Sequence, residues 1–226
     1  MLGKIIRDIF RPAERPAAAR APARRVLNVG GANKATAIPP HYNGWEQLLL
    51  DIDPRGKPDI VCDARDLRSL EGNQFDAIYC SHNLEHYYRH DAVKVLLGMH
   101  HVLKPDGFVE VVVPDLETVI EHVLERKMDV SDVLYESPAG PITVLDVIYG
   151  FGKEIEESGQ DFYAHKTGFS PKNLRQTLIA SGFHAVYVFV ARDAFEVRAF
   201  AFKSAPTLQD RNLLGLPSAM AEGSSA

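Results

Sequence analysis

The sequence predicts an α/β protein: a doubly wound, mostly parallel seven-stranded sheet with a C-terminal antiparallel hairpin. Three observations predict it. Short apolar runs punctuate the 226-residue chain at 26–29, 47–50, 60–62, 77–80, 108–113, 185–190 and 197–202. Most are continuous rather than alternating, as in strands covered on both faces. Helical patterns lie between them, and strands alternating with helices close a parallel sheet through right-handed crossovers. The last two runs are separated only by residues 191–195, room for a hairpin and not for a crossover.

The elements follow in order. Residues 1–24 are a basic arm. Leu2, Ile5, Ile6 and Ile9 share one helical stripe with Lys4, Arg7 and Arg11 around it. Two readings stand: residues 2–11 touch a membrane surface or a partner, or the arm is frayed, since a helix of roughly 11 residues is marginal alone. Residues 12–25, rich in Pro, Ala and Arg, read as a flexible linker. The main domain is expected over 25–203. Its clearest helix spans 91–103 and ends in the turn Lys104-Pro105-Asp106-Gly107. Another spans 171–180, with Ser170 as N-cap, Pro171 at the first helical position and Gly182 past the end. Residues 204–226 lose periodicity and read as a flexible tail.

One connection is far too long. From the end of the fifth strand near Pro114 to Ser170 about 55 residues intervene, where a few are usual. This insertion, at about 115–169, leaves and rejoins the sheet on the carboxyl edge, so it is expected to cap that edge. It holds a helix at 116–126 and the stretches 135–141 and 161–166. It is read as a small-molecule pocket with a polar rim, or else as a structural elaboration or an oligomer contact.

Composition excludes several classes. No apolar run approaches the roughly 18 residues that span a bilayer. Cys62 and Cys80 cannot form a disulfide framework by themselves, which fits a reducing, cytoplasmic setting. The net charge of −5 is uneven: residues 1–25 carry seven basic and two acidic side chains, the remainder 18 and 28. A body that acidic is a poor match for a nucleic-acid backbone, so nucleic acid is not an expected partner.

In sheets of this class ligands bind beyond the carboxyl ends of the strands, where the strand order reverses. Four predicted strand ends carry suitable residues: Asn28-Val29-Gly30-Gly31-Ala32, Leu50-Asp51, Cys62-Asp63-Ala64 and Cys80-Ser81-His82-Asn83. Glycine after the first strand lets the backbone turn and approach a ligand. An acid about 20 residues later suits the paired hydroxyls of a ribose, and Asp51 stands 21 after Gly30. Asp63 alone also reads as a helix N-cap. A dinucleotide fingerprint would need a second glycine where Ala32 stands, and Pro39-Pro40 leave no room for a phosphate-binding helix. An adenosine cofactor without phosphates fits better than a nicotinamide dinucleotide.

Five segments, VLNVGG (26–31), LLLDIDP (48–54), PDIVCDARDL (58–67), FDAIYCSHNLEH (75–86) and HVLKPDGFVEVVVPD (101–115), resemble the core of class I S-adenosylmethionine-dependent methyltransferases, in a bacterial subgroup with a short first crossover. The likeness continues more weakly through GFSPKNLRQTLIASGF (168–183) and the final hairpin, and excludes both ends. It implies the Rossmann-like methyltransferase fold, S-adenosylmethionine as cofactor and methyl transfer to a small-molecule or saccharide-like acceptor. It also implies that Gly30 and Gly31 face the methionine portion, that Asp51 binds the ribose, and that Asp63 and Ala64 hold the adenine. Ser81 and His82 then lie between cofactor and acceptor. Two positions depart from the pattern: Asn28, a cofactor-binding position still able to accept a hydrogen bond from the ammonium group, replaces a common acid, and Ala32 a glycine. They carry the alternative, a catalytically degenerate relative that binds or regulates.

A proton on the acceptor suits histidine, and the candidates are His82, His86 and His165, with His82 and His165 ranked first as catalytic. His82, His86 and His90 share an i, i+4, i+8 spacing. With no third ligand type fixed there, no metal is expected.

Overall fold

The computed structural model describes residues 23–217. Among them run strands β1 (Arg25–Val29), β2 (Glu46–Asp51), β3 (Ile60–Val61), β4 (Phe75–Ser81), β5 (Leu103–Pro114), β6 (Val133–Ser137), β7 (Gly140–Thr143), β8 (Ala185–Ala191) and β9 (Glu196–Phe202). The α-helices are α1 (Arg89–Val102), α2 (Leu116–Arg126), α3 (Val144–Tyr149), α4 (Gly152–Ser158), α5 (Pro171–Ala180) and α6 (Leu208–Leu214).

Seven strands form one sheet in the order β3-β2-β1-β4-β5-β9-β8, and β6 and β7 form a separate hairpin. β1 pairs in parallel with β2 and β4, and β5 in parallel with β4. β9 alone runs against its neighbours β5 and β8. The predicted fold class is therefore the observed one, with the order reversing between β1 and β4.

Alternate side chains along each strand feed two cores. Leu27, Val29, Ile78, Cys80, Val109 and Val111 pack under α1 and α5. Val26, Ala77, Phe108, Phe200 and Phe202 pack with Tyr42, Trp45 and Leu216 on the other face. Gly98 of α1 lets the helix close onto Leu67: a Cβ there would lie 2.6 Å from the Leu67 Cβ.

The connections explain the site. Between β1 and β2 the prolines leave only a 3-10 turn at Pro40–Tyr42, as read from sequence. Between β5 and α5 the chain forms the insertion. α2 starts at its N-cap Asp115, whose strand-like bridge to Phe169 brings the two ends of the insertion together. Inside it, Val119, Ile142, Val144 and Val147 make a small core of their own, into which Phe195 from the β8–β9 corner inserts. Phe195 adopts φ +55 to do so.

The structure corrects several readings. Residues 204–226 are not simply a flexible tail: α6 is closed by a capping box between Thr207 and Asp210, and the nearly buried Asp210 pairs with Arg24. Residues 218–226, and the apolar stripe of residues 2–11, lie outside the described residues. Lys104–Gly107 are not a free turn ending the helix read at 91–103: α1 ends at Val102 and β5 begins at Leu103. Residues 104–107 bulge within β5, where pairing jumps from Phe75–Leu103 to Ala77–Phe108. β3 is also shorter than read, since Cys62 falls beyond it. Among the described residues no helix is long and apolar enough to cross a membrane.

Candidate functional site

A cavity of ≈ 710 Å³ opens at the carboxyl edge of the sheet, within the range of about 300–1,000 Å³ usual for small-molecule sites. Its sheet side is formed by Gly30, Ala32, Asp51, Ile52, Asp53, Asp63, His82 and Asn83, and its helical side by His86, Tyr87 and Asp91. The insertion supplies Glu154, Asp161, Phe162, Tyr163 and Lys166.

Gly30, leaving β1 at φ +73, is pinned by its N–H donating to Leu50 O at 2.8 Å. An added Cβ at Gly30 would lie 2.2 Å from Asn83 Nδ2, and one at Gly31 2.1 Å from Asn28 Nδ2. Both glycines are therefore demanded by close neighbours. The nearly buried Asp51 takes the Ala32 N–H on Oδ2 at 3.0 Å and the Asp53 N–H on Oδ1 at 2.9 Å. Each carboxylate oxygen keeps a second lone pair for a ligand hydroxyl. Asp63 caps the 3-10 segment Ala64–Ser69 through Arg65 N–H, and its carboxylate is also bound by the Arg65 guanidinium. Against its partial burial, these contacts hold the Asp63 carboxyl below its usual range.

The insertion reaches across the cavity. Tyr163 accepts from Arg55 Nη2 at 3.0 Å and its hydroxyl lies 3.4 Å from Asp53 Oδ2, while Arg55 clamps Asp53. Hydrogen bonds from Arg55 depress the Asp53 carboxyl.

His82 stands in a left-handed conformation, φ +47, directly after β4. Its Nε2 lies 2.8 Å from Glu196 Oε1 and its Nδ1 3.5 Å from Glu85 Oε1. Burial opposes its charge, but the two carboxylates outweigh this and raise its pKa to about 10. At neutral pH it is an imidazolium and holds no lone pair for a proton. His165 is the converse. Burial lowers its pKa, although Glu85 opposes this, and its Nδ1 faces Val147 O at 2.8 Å.

Of the residues expected from sequence, Gly30, Asp51, Asp63 and His82 meet at the cavity wall, with His86 beside them. Asn28, Gly31, Ala64, Ser81 and His165 are not on that wall: Asn28 and Ala64 are buried behind it, and His165 stands behind His86. His82, His86 and His90 do not share a helix face, because the first lies in a turn, the second in the 3-10 turn Leu84–His86 and the third in α1. The stretch 161–166 lines the cavity in part, whereas 135–141 builds the β6–β7 hairpin away from it. Asn83 closes a strand end already singled out from sequence, whereas Tyr87, Arg65 and Arg55 were not read there. Only Arg65 left a signal, as the residue an N-cap at Asp63 brings near it.

Residues 43–111 match a family model described as a methyltransferase domain. No curated protein matches the chain in sequence. Among solved structures, an S-adenosylmethionine-dependent methyltransferase from Archaeoglobus fulgidus is similar at 16% identity and a TM-score of 0.51, over 80% of this chain and 87% of that one. A Pyrococcus horikoshii protein is similar at 16% identity and a TM-score of 0.51, over 80% and 82%. At this identity the likeness speaks for the fold.

Proposed function

We propose that this chain, whose residues 43–111 match a methyltransferase-domain model and whose fold is similar to that of an S-adenosylmethionine-dependent methyltransferase, transfers a methyl group to a small-molecule acceptor, saccharide-like compounds included, held under the insertion. The observation that carries this is the meeting of Gly30, Asp51 and Asp63 with insertion residues Phe162 and Tyr163 around one cavity at the strand-order reversal.

The residues present fit the cofactor. Asp51 has lone pairs free for two ribose hydroxyls, and Gly30 brings bare backbone to the cavity wall for the methionine portion, with Gly31 next to it in the turn. Asp63, already committed to Arg65, offers its remaining lone pairs to the adenine end, with the Ala64 backbone beside it, and Ser81, at the end of β4, lies between cofactor and acceptor. S-adenosylmethionine supplies an electrophilic methyl on a sulfonium, and the reaction is an in-line displacement.

The chain's work is alignment and exclusion of water. Phe162 and Tyr163 cover the cavity, and the Tyr163–Arg55–Asp53 contacts hold that cover to the sheet. His82 and His165 act as positioning residues: His82 ties the turn after β4 to Glu196, and His165 braces the insertion through its Nδ1 contact with Val147 O. One observation favours the second reading, a binding protein without catalysis. Asn28, where an acid is common, brings no negative charge toward a cofactor ammonium.

Calorimetry with S-adenosylhomocysteine tests the proposal. The folded chain binds one equivalent, and Asp51→Ala weakens binding at least tenfold. Absence of binding, or equal binding by the variant, overturns it.

A further inference from the structure

We propose that Glu85, His86 and His165 form a binding site for a divalent transition-metal cation of the zinc class, which pins the insertion to the sheet. One ligand atom from each of the three side chains lies within 4.8 Å of the other two. Glu85 is 1% exposed, and neither of its carboxylate oxygens has a hydrogen-bond partner. An ionised carboxylate buried in this way is costly unless a positive charge meets it.

The contacts of the two imidazoles fix which ring nitrogen carries a lone pair. His86 Nδ1 lies 3.3 Å from Ala164 O and His165 Nδ1 2.8 Å from Val147 O. A carbonyl has no proton to give, so each contact places the ring proton on Nδ1 and the lone pair on Nε2. His165 Nε2 is 4.0 Å from Glu85 Oε1, and the two rings meet edge to face at 4.8 Å. An outer partner that fixes the tautomer is what metal-ligating histidines show almost without exception.

His82 offers only part of the missing charge. Its Nδ1 is 3.5 Å from Glu85 Oε1, outside hydrogen-bond geometry, and its Nε2 is committed to Glu196. Two histidines and one glutamate are a donor set that binds zinc with a coordination position left open. Bonds of roughly 2.0–2.2 Å require the three donors to draw together by about an ångström. The backbone holds the two segments side by side, since Lys166 and Thr167 N–H groups both donate to Glu85 O, at 2.8 and 3.1 Å, so the contraction falls to side-chain rotations. The site joins the turn after β4 to the end of the insertion, beside the cavity wall that His86 helps to form.

The test uses the full chain, stripped with a chelator and titrated with Co²⁺ as a visible-absorbing probe, then with Zn²⁺. We expect one equivalent of Co²⁺ with d–d bands that Zn²⁺ abolishes. Glu85→Gln and His165→Gln should each weaken binding about a hundredfold or more, while exposed His90→Gln leaves it unchanged. Circular dichroism reports whether each variant folds. Should a variant unfold, long-range ¹H–¹⁵N spectra of the unaltered chain decide, because Zn²⁺ must shift Nε2 of both His86 and His165. A folded chain that takes up no stoichiometric metal, unmoved Nε2 resonances, or undiminished binding by both folded variants would overturn the site. No cofactor enters the assay, so its outcome is independent of the methyl-transfer reading.

Discussion

Asp51 Oδ2 accepts the Ala32 N–H at 3.0 Å, so the acid that ends β2 also holds the turn that ends β1. One carboxylate thereby shapes the loop and presents the lone pairs a ribose needs. Asp51→Asn keeps the size and one acceptor oxygen but removes the charge. Hydrogen bonds to charged groups contribute about 1.5–3 kcal/mol. We expect S-adenosylhomocysteine affinity to fall about ten- to a hundredfold by calorimetry, with the far-ultraviolet circular dichroism unchanged.

Gly30 and Asn83 share space that admits only one side chain. Gly30→Ala meets two costs, a left-handed backbone at φ +73 and a Cβ 2.2 Å from Asn83 Nδ2. Asn83→Gly removes the second cost and leaves the first, which is about 1–2 kcal/mol. A double-mutant cycle by urea unfolding should therefore show strong coupling, with the double variant more stable than the sum of the singles implies. Additive losses would mean that the two positions do not compete.

Gly98→Ala reverses the usual sign for a helix. Alanine ordinarily stabilises a helix interior by about 0.5–1 kcal/mol over glycine. Here the new methyl would stand 2.6 Å from the Leu67 Cβ, and neither backbone can swing aside as a flexible side chain would. We expect a lower unfolding midpoint in urea, by about 1–3 kcal/mol in stability, as in other overpacked cores. A higher midpoint would show that α1 and the 64–69 segment are not in contact at this point.

Asp146 closes the capping box at the start of α3 and accepts from Thr143 and from the Gly152 N–H. Burial pushes its carboxyl upward, but these hydrogen bonds outweigh it and leave the pKa below the usual value. A depressed folded pKa contributes stability that is complete above the unfolded pKa and is lost as pH falls through the folded one. Asp146→Asn should cost about 1 kcal/mol at pH 7, the ordinary net value of a hydrogen bond, and nothing once the pH is below that lower pKa. Thermal melts of the two chains from pH 7 downward check this, and curves that stay parallel would refute it.

The sheet was legible because burial on both faces writes itself as continuous apolar runs, and Gly30, Asp51 and Asp63 followed because strand ends can be counted. The insertion was legible from length alone. α6 was not, since seven residues carry too little periodicity, although Thr207 and Asp210 spell its cap. Asn83 was legible only as the last residue of a strand end, and Tyr87 not at all, because both occupy an irregular turn whose side-chain directions no repeat predicts. Glu85 was hidden for a different reason. A glutamate between a leucine and a histidine reads as exposed, and it is buried only because residues 164–167, about 80 positions later, lie across it.

The most direct measurement is a crystal structure of the chain grown with S-adenosylhomocysteine. The account predicts the ligand in the ≈ 710 Å³ cavity, its ribose hydroxyls on the Asp51 carboxylate and its homocysteine chain beside Gly30 and Gly31. A ligand lodged elsewhere, or a ribose that leaves Asp51 untouched, would contradict it.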